Sequence, residues 1–275
     1  MQSHLFSQDE LDPKTREFYC QALTALSESH VPFLVGGAYA FERYTGIARH
    51  TKDLDIFVLP SDCDRVFAVL SEIGCSAELS FPHWLGKVFY QEKFQDNFID
   101  IIFNSAHGNS EVDEAWFEHA VEEKVFDLPV KLCPAEEIIC SKAFVMARDR
   151  YDGADIAHLL RACSENLDWS RLLYRFGSHW RVLLSHLILF GFIYPAERSR
   201  IPNSLMHELL DRLQKEMNTA PATDQLCQGT LLSGLQYQID IERWGYEDAR
   251  LQPRGNMTAE EIALWTTHLK KNTNA

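Results

Sequence analysis

Apolar and polar positions in the first part of the chain follow the patterns of both helices and strands. Residues 15–29 carry apolar side chains at helical spacing, and the apolar run at 31–35 predicts a short buried strand. A second strand is predicted at 53–59, where Pro60 ends it, and Ser61 is the expected N-cap of the helix that follows. These alternations predict a mixed α/β arrangement.

Two further apolar runs, at 87–92 and 98–103, flank a short polar segment and predict a β-hairpin. A last strand is predicted at 130–132. Pro134 is well placed in the first turn of a helix, because its missing N–H would have no partner there. The strand patterns end at this point.

From Pro134 onwards helical periodicity dominates. The segments that predict helices are 136–150, 154–161, 169–176, 179–190, 204–216 and 259–270. Thr258 and Glu261 have the spacing of a capping box at the start of the last of these segments. We therefore expect an α+β fold, with a mixed sheet and flanking helices over residues 1–133 and an all-helical domain over residues 134–275.

Three aspartates lie within the apolar strand patterns. Asp53 and Asp55 are two residues apart, so in an extended strand both carboxylates project from one face while Leu54 projects from the other. Asp100 lies in the second strand of the predicted hairpin. Burying carboxylates among apolar side chains is costly unless a cation offsets their charge. Two neighbouring carboxylates and a third from another strand form an oxygen-ligand set that suits Mg²⁺ better than Zn²⁺.

A glycine pair, Gly36 and Gly37, ends the first predicted strand, and residues 38–44 can form a helix after it. Without Cβ atoms the chain can turn sharply there, and backbone N–H groups can approach phosphate oxygens at the helix start. Paired metal ions about 4 Å apart can stabilise both oxygens of an in-line phosphoryl displacement. The aspartates and the glycines together therefore favour phosphoryl chemistry on a nucleotide.

Taken in chain order, these features resemble a known family, the nucleotidyltransferase fold of the DNA polymerase beta superfamily. The residues that carry the resemblance are Gly36-Gly37, the run Arg49-x-Thr51-x-Asp53-x-Asp55 and the later Asp100. The long gap between the glycines and the aspartates is similar to that of small bacterial members, namely lincosamide and aminoglycoside nucleotidyltransferases and the toxin-type nucleotidyltransferases of abortive-infection systems. The resemblance covers roughly the first half of the chain.

The resemblance implies a metal-dependent enzyme that moves a nucleoside monophosphate from ATP or another triphosphate to an acceptor hydroxyl and releases pyrophosphate. It implies that Asp53, Asp55 and Asp100 are catalytic residues that hold two Mg²⁺ ions. Asp100 could also help to deprotonate the acceptor. Gly36 and Gly37 would hold the phosphates through backbone N–H groups.

Two residues of the motif are assigned a lesser role in nucleotide binding. If the strand of Asp53 begins early, Arg49 and Thr51 fall on the same face as its carboxylate. Both would then contact phosphate oxygens, which completes the nucleotide-binding set predicted for the first domain.

A second, weaker similarity lies in the helical half. Lys142, Arg148, Asp152 and Asp155 resemble the Lys…Arg…Asp-x-x-Asp helices that follow the core in such proteins. This similarity implies that Lys142 reaches the triphosphate. Simpler interpretations stay open: Lys142 is a solvated lysine on an amphipathic helix, and Asp152 and Asp155 cap the helix that follows.

Charge and composition bear on the partners and the compartment. The formal net charge is −14 and no long run of Lys and Arg occurs, whereas nucleic-acid binders generally present a basic face. We therefore expect a nucleoside triphosphate and a neutral or cationic small-molecule acceptor, and no nucleic acid. Seven cysteines without Cys-x-x-Cys spacing predict reduced thiols. Neither a secretory signal nor a spanning helix is predicted, so we expect a cytoplasmic protein without a membrane partner.

Two alternative functions stay open. A toxin-type nucleotidyltransferase would modify a protein or a tRNA, although the lack of basic patches argues against tRNA. A non-catalytic member of the fold would bind a nucleotide or a partner through its helical domain, although three intact aspartates argue against it. The sequence does not indicate the acceptor, the base of the triphosphate or the oligomeric state.

Overall fold

The computed structural model describes residues 11–49, 51–90 and 97–273. The chain divides into two compact units, Met1–Pro134 and Ala135–Ala275. The first unit is built on a seven-stranded mixed sheet with the strand order β3-β4-β5-β2-β1-β7-β6. Its strands are β1 (Leu34–Val35), β2 (Asp53–Phe57), β3 (Cys75–Phe81), β4 (Leu85–Tyr90), β5 (Phe98–Ile102), β6 (Val121–Val125) and β7 (Leu128–Leu132). Its helices are α1 (Pro13–Glu28), α2 (Gly37–Thr45), α3 (Cys63–Glu72) and α4 (Glu114–Glu118).

The core of the first unit follows from the apolar periodicity of its elements. Helix α1 begins after Asp12, whose carboxylate accepts hydrogen bonds from the N–H groups of Lys14 and Thr15. It buries the apolar side chains that recur at helical spacing, among them Leu23 and Leu26. In the two central strands every second residue is fully buried: Leu54 and Ile56 in β2, Ile99 and Ile101 in β5.

The antiparallel pairing of the predicted hairpin is confirmed for β4 and β5. Residues 91–96, which include the end of its first predicted strand and most of its polar turn, lie outside the described residues. Strand β5 also pairs parallel with β2, and this pairing aligns the strands that carry the aspartates. Sequence patterns missed β3, which pairs antiparallel with β4 at the edge of the sheet. Four consecutive residues of β3 are exposed, from Ser76 to Leu79, so it lacks the regular apolar alternation of a half-buried strand.

The second unit is predominantly helical, which confirms the predicted fold class. Its helices are α5 (Ala135–Ala143), α6 (Gly153–Cys163), α7 (Trp169–Phe176), α8 (Trp180–Ile193), α9 (Asn203–Met217), α10 (Gln238–Glu242) and α11 (Ala259–Thr273). Its sequence pattern gave no sign of one small parallel pair, β8 (Leu226–Cys227) and β9 (Glu247–Asp248). The predicted capping box forms: the Thr258 N–H donates to Glu261 Oε2 at 2.7 Å, and the Glu261 N–H donates to Thr258 Oγ1 at 3.2 Å.

Two predicted helix ends are wrong. Ser61 is not an N-cap, because Pro60 opens a single 3₁₀ turn and Asp62 takes the N-cap position of α3. The helix predicted over 136–150 ends at Ala143, since the next backbone groups bond elsewhere. The Ala147 N–H donates to the Arg150 carbonyl at 2.9 Å, within a loop that an antiparallel bridge between residues 146 and 151 closes.

One apolar stretch of the second unit, Trp169–Ile193, is long and apolar enough by length and composition to cross a membrane. The core helix of a soluble protein meets the same test, so the finding is weak. In the structure this stretch comprises α7, a 3₁₀ turn at Gly177–His179 and α8.

Candidate active site

Strand β2 presents two carboxylates on one face of the sheet. Asp53 and Asp55 are half-buried, and the residues between and after them, Leu54 and Ile56, are fully buried on the opposite face. The alternation of an extended strand therefore separates an acidic face from an apolar one, as the sequence predicts.

Strand β5 brings the third carboxylate to the same place. Asp100 is the direct cross-strand partner of Asp55 in the parallel pair of β2 and β5. One carboxylate oxygen from each of Asp53, Asp55 and Asp100 lies within 4.8 Å of the others. Among the described residues these three form the only such group of His, Cys, Asp or Glu side chains. We call this group the acidic triad.

A lysine on the neighbouring strand contacts the triad. Lys87 in β4 is the cross-strand partner of Asp100, and its Nζ donates to Asp100 Oδ1 at 2.8 Å. Burial raises the pKa of the Asp100 carboxyl, and the ammonium of Lys87 opposes that shift. Lys87 lay inside a predicted strand, but only the register of the hairpin shows that it faces Asp100.

The glycine pair lies directly against the triad. Gly37 has a φ of +54°, and a Cβ atom built there would stand 1.6 Å from Asp55 Oδ2. Glycine is therefore required both for the backbone conformation and for the close approach of the carboxylate. The Gly36 N–H donates to the Asp55 carbonyl at 2.9 Å, which ties the start of α2 to β2. That bond engages the Gly36 N–H within the sheet, whereas the expectation was a contact with phosphate.

The structure places Thr51 beside the acidic triad and Arg49 against helix α2. β2 begins at Asp53, so neither residue belongs to the strand, and the shared strand face does not extend to them. The Thr51 hydroxyl nevertheless donates to Asp53 Oδ1. The Arg49 guanidinium lies over the ring of Phe41 in α2, 4.4 Å from its centroid. Their contact with phosphate stays a prediction.

Sequence patterns did not indicate that Tyr19 of α1 lies beside the strands that carry the triad. The Tyr19 hydroxyl of α1 lies 3.1 Å from the Lys52 carbonyl and 3.2 Å from the Phe98 carbonyl, so it links the residue that precedes β2 to the first residue of β5. Burial, followed by the charges of neighbouring groups that include Asp53, raises the pKa of Tyr19 far above the usual range. The phenol therefore stays neutral and acts as a hydrogen-bond donor.

Lys142 lies in α5 of the second unit and has two carboxylate partners there. Its Nζ is 2.9 Å from Asp152 Oδ2 and 2.8 Å from Asp155 Oδ2, and its side chain is 19% exposed. Burial acts to raise the pKa of the Asp152 carboxyl, but the positive charges of Lys142 and Arg150 outweigh it and hold that pKa below its usual value. Asp152 takes the N-cap position of α6 but makes no side-chain capping bond. Lys142 is thus a paired, largely buried lysine, and not a solvated one.

The acidic triad fits a divalent metal. Its donors are carboxylate oxygens, which Mg²⁺ prefers, and no sulfur or imidazole ligand belongs to the group among the described residues. Three partly buried carboxylates this close repel one another, and a cation between them would remove that repulsion. Asp53, Asp55 and Asp100 are the residues that could hold it.

A mixed sheet that presents an acidic triad beside a Gly-Gly helix start is the arrangement expected from the resemblance to nucleotidyltransferases, enzymes that transfer a nucleoside monophosphate. A sequence model of the family described as uncharacterised nucleotidyltransferases matches residues 19–188, more than half of the chain. The chain belongs to this family, which confirms the predicted enzyme class. No curated protein sequence matches the chain.

Several solved structures are similar to the chain. The solution structure of the antibiotic-resistance factor ANT(2'')-Ia is 19% identical, with a TM-score of 0.45, over 64% of this chain and 98% of that one. The lincomycin-bound lincosamide antibiotic adenylyltransferase LnuA is 18% identical, with a TM-score of 0.38, over 54% and 96% of the two chains. An antigenic nucleotidyltransferase-like protein from Paracoccidioides brasiliensis is 14% identical, with a TM-score of 0.44, over 69% and 93%.

Proposed function

We propose that this nucleotidyltransferase is metal-dependent and moves a nucleoside monophosphate from a triphosphate to a hydroxyl of a small molecule. The observation that carries the proposal is the acidic triad, whose three carboxylate oxygens lie within 4.8 Å of one another on one face of the sheet. Asp53, Asp55 and Asp100 would hold two Mg²⁺ ions. The ions would supply positive charge for the attacking and leaving oxygens of an in-line displacement.

Asp100 is the residue that we assign to the acceptor. In the transfer the acceptor oxygen forms a bond to the α-phosphorus, the bond from that phosphorus to pyrophosphate breaks, and the acceptor hydroxyl loses its proton. The carboxylate of Asp100 would help to accept that proton, as the resemblance to the superfamily implies. Tyr19 and Tyr39 are unsuited to this step, because burial raises the pKa of both phenols and keeps them protonated.

The phosphates would be bound by the turn after β1. Because the Gly36 N–H is engaged by the Asp55 carbonyl, the N–H groups of Gly37 and of the first turn of α2 are the donors we assign to phosphate oxygens. Gly36 contributes differently, since a Cβ atom there would stand 2.3 Å from the Phe57 ring. Thr51 and Arg49 are secondary candidates for phosphate contacts.

The acceptor that the charge favours is neutral or cationic. A net charge of −14 repels polyanions such as tRNA and attracts cations at low ionic strength. An amino sugar has this chemistry, and so does any small molecule that carries an amine beside a hydroxyl. We place the reaction in the cytoplasm, where nucleoside triphosphates and Mg²⁺ are available.

The test is a transfer assay on the purified full chain. It is incubated with Mg²⁺, each of the four labelled ribonucleoside triphosphates in turn, and a panel of aminoglycosides, lincosamides, tRNA and cell-extract proteins. We expect pyrophosphate release that depends on Mg²⁺ and on a small-molecule acceptor, with Asp55→Asn as the inactive control. Label transferred only to protein or tRNA would refute the small-molecule acceptor, and the absence of release with every triphosphate would refute the proposed catalysis.

A further inference from the structure

Lys87 lies between two acidic neighbours and contacts only one of them. In the sheet its cross-strand partners are Glu78 on β3 and Asp100 on β5. The Lys87 ammonium donates to Asp100 Oδ1 at 2.8 Å, whereas Glu78 Oε1 accepts a hydrogen bond from the Ser80 hydroxyl at 3.0 Å. The ammonium is thus directed towards the acidic triad.

A second contact fixes the position of the ammonium. Lys87 Nζ lies over the ring of Phe98, 3.6 Å from its centroid. Phe98 precedes Asp100 by two residues on β5, so the ring and the carboxylate share one face of the strand. The Lys87 side chain is 23% exposed and that of Asp100 is 13% exposed, which makes this pair more enclosed than an ordinary surface salt bridge.

The negative charges of the acidic triad suggest what the ion pair of Lys87 with Asp100 does. Three carboxylates whose oxygens lie within 4.8 Å of one another repel, and the repulsion is strongest when no metal is bound. We propose that Lys87 is a positioning residue of the active site, a built-in counter-cation that holds the Asp100 carboxylate in the triad while the metal is absent. The proposal rests on the proposed function in one respect, that the triad is the metal site.

This role has two consequences, and the second of them distinguishes it from a purely structural ion pair. The loss of Lys87 should matter only where Asp100 is ionised, and it should matter less when a metal cation supplies the missing positive charge. The Lys87 ammonium engages Asp100 Oδ1, so Oδ2 is the atom that we assign to the metal.

The test is a double-mutant cycle read as thermal unfolding midpoints of the full chain, without nucleotide, in EDTA and again in millimolar Mg²⁺. The variants are Lys87→Met, Asp100→Asn and the double variant. Glu78→Gln, alone and with Lys87→Met, is the matched control because Glu78 is the other cross-strand neighbour. Lys87→Arg keeps the positive charge but places it on a side chain of a different shape.

In EDTA we expect Lys87→Met to lower the midpoint by about 4 °C in the wild-type and Glu78→Gln backgrounds, and by less than about 1 °C beside Asp100→Asn. Mg²⁺ should raise the midpoint of Lys87→Met more than that of the wild type, and so recover most of the loss. Lys87→Arg should stay close to the wild type.

An equal loss in the Asp100→Asn background would overturn the proposal, and so would coupling to Glu78 as large as to Asp100. A Lys87→Arg midpoint as low as that of Lys87→Met would overturn it too, because the stem and not the charge would then be responsible. If Mg²⁺ stabilises the wild type but leaves the loss in Lys87→Met unchanged, Lys87 is not a counter-cation. If Mg²⁺ changes no midpoint at all, the metal site of the proposed function fails, and the cycle in EDTA then decides only whether Lys87 acts through the charge of Asp100.

Discussion

At the residue scale, the acidic triad depends on two close contacts of Asp55. Asp55 is aligned with Asp100 across two parallel strands, and it also lies against the Cα of Gly37. A change of one carboxylate alters charge without altering the fold, because the apolar faces of β2 and β5 stay buried. A change at Gly37 alters the fold locally, because nothing larger than hydrogen fits there. Two predictions separate these effects.

Asp53→Asn and Asp55→Asn should each lower the transfer rate by at least about a hundredfold, because each removes a ligand charge for the metal ions that would stabilise the reacting phosphate. Each should leave the unfolding midpoint in EDTA equal to or above that of the wild type, since the change relieves repulsion within the triad. Asp64→Asn, at an exposed aspartate of α3, is the control and should change neither quantity. Near-wild-type turnover of either site variant in Mg²⁺ would remove that residue from the metal site.

Gly37→Ala should reduce the free energy of unfolding by about 2 kcal/mol or more, because a positive φ and a collision with Asp55 act together. Gly46→Ala is the matched control: its φ is +70°, at the other end of α2, and a Cβ atom there would meet nothing within 4 Å. We expect it to cost about 1 kcal/mol and to retain activity. Urea unfolding measures both, and equal losses would show that the approach of Asp55 to Gly37 is unimportant.

At the scale of elements, buried ion pairs connect helices α5 and α7 of the second unit. Glu137 of α5 is 1% exposed and accepts hydrogen bonds from Arg171 and Arg175 of α7. Burial raises the pKa of the Glu137 carboxyl, and the guanidinium of Arg171 opposes the shift. The two helices therefore depend on a charge pair that cannot be broken at one side without leaving a buried ion.

Arg171→Met should reduce the free energy of unfolding at pH 7 by about 3 kcal/mol, and the loss should shrink as the pH falls towards 4. A carboxyl with a raised pKa in the folded chain binds its proton more tightly there than in the unfolded chain, so its charge costs stability as the pH rises. Removing the guanidinium enlarges that cost. Chemical unfolding at several pH values measures the effect.

Arg212→Met is the control for this pair, since Arg212 forms an exposed i,i+4 ion pair with Glu208 on α9. It should change the free energy of unfolding by less than about 0.5 kcal/mol at every pH. A loss in Arg171→Met that does not depend on pH would show that packing of the arginine stem, and not the charge of Glu137, stabilises the contact of α5 with α7.

At the scale of the whole molecule, the second unit is predicted to contribute to nucleotide binding. The similarity of Lys142 to the helices that follow the core in related nucleotidyltransferases implies that it does. The structure gives its ammonium two carboxylate partners within the second unit, Asp152 and Asp155. The lysine therefore has a structural role whether or not it also meets a phosphate.

Lys142→Met should lower the free energy of unfolding by about 2 kcal/mol, because it leaves two partly buried carboxylates without their shared cation. If Lys142 also binds the triphosphate, affinity should fall about tenfold, the scale of one charged contact. Calorimetric titration at a temperature where the variant is folded measures this, with Lys215→Met on the exposed face of α9 as control. Unchanged affinity in the folded variant would leave Lys142 a structural residue only.

The sequence by itself determined the acidic face of the sheet and the class of enzyme. Residues two apart in a strand share a face, so Asp53 and Asp55 had to point together once their apolar neighbours were buried. The end of β1 before the glycine pair and the antiparallel pairing of β4 with β5 were predicted by equally local rules, because glycine ends a strand and a polar segment between two apolar runs predicts a hairpin. The capping box at Thr258 is local as well.

Only the tertiary structure decided which distant groups meet. The register of β2 with β5 places Asp100 beside Asp55, and the register of β4 with β5 turns Lys87 towards the triad. The end of α5 at Ala143 and the ion pairs of Lys142 likewise depend on contacts between segments that local patterns do not specify. Local periodicity fixes the face on which a side chain lies, whereas the neighbour across the sheet depends on strand order, which is settled by burial of the whole core.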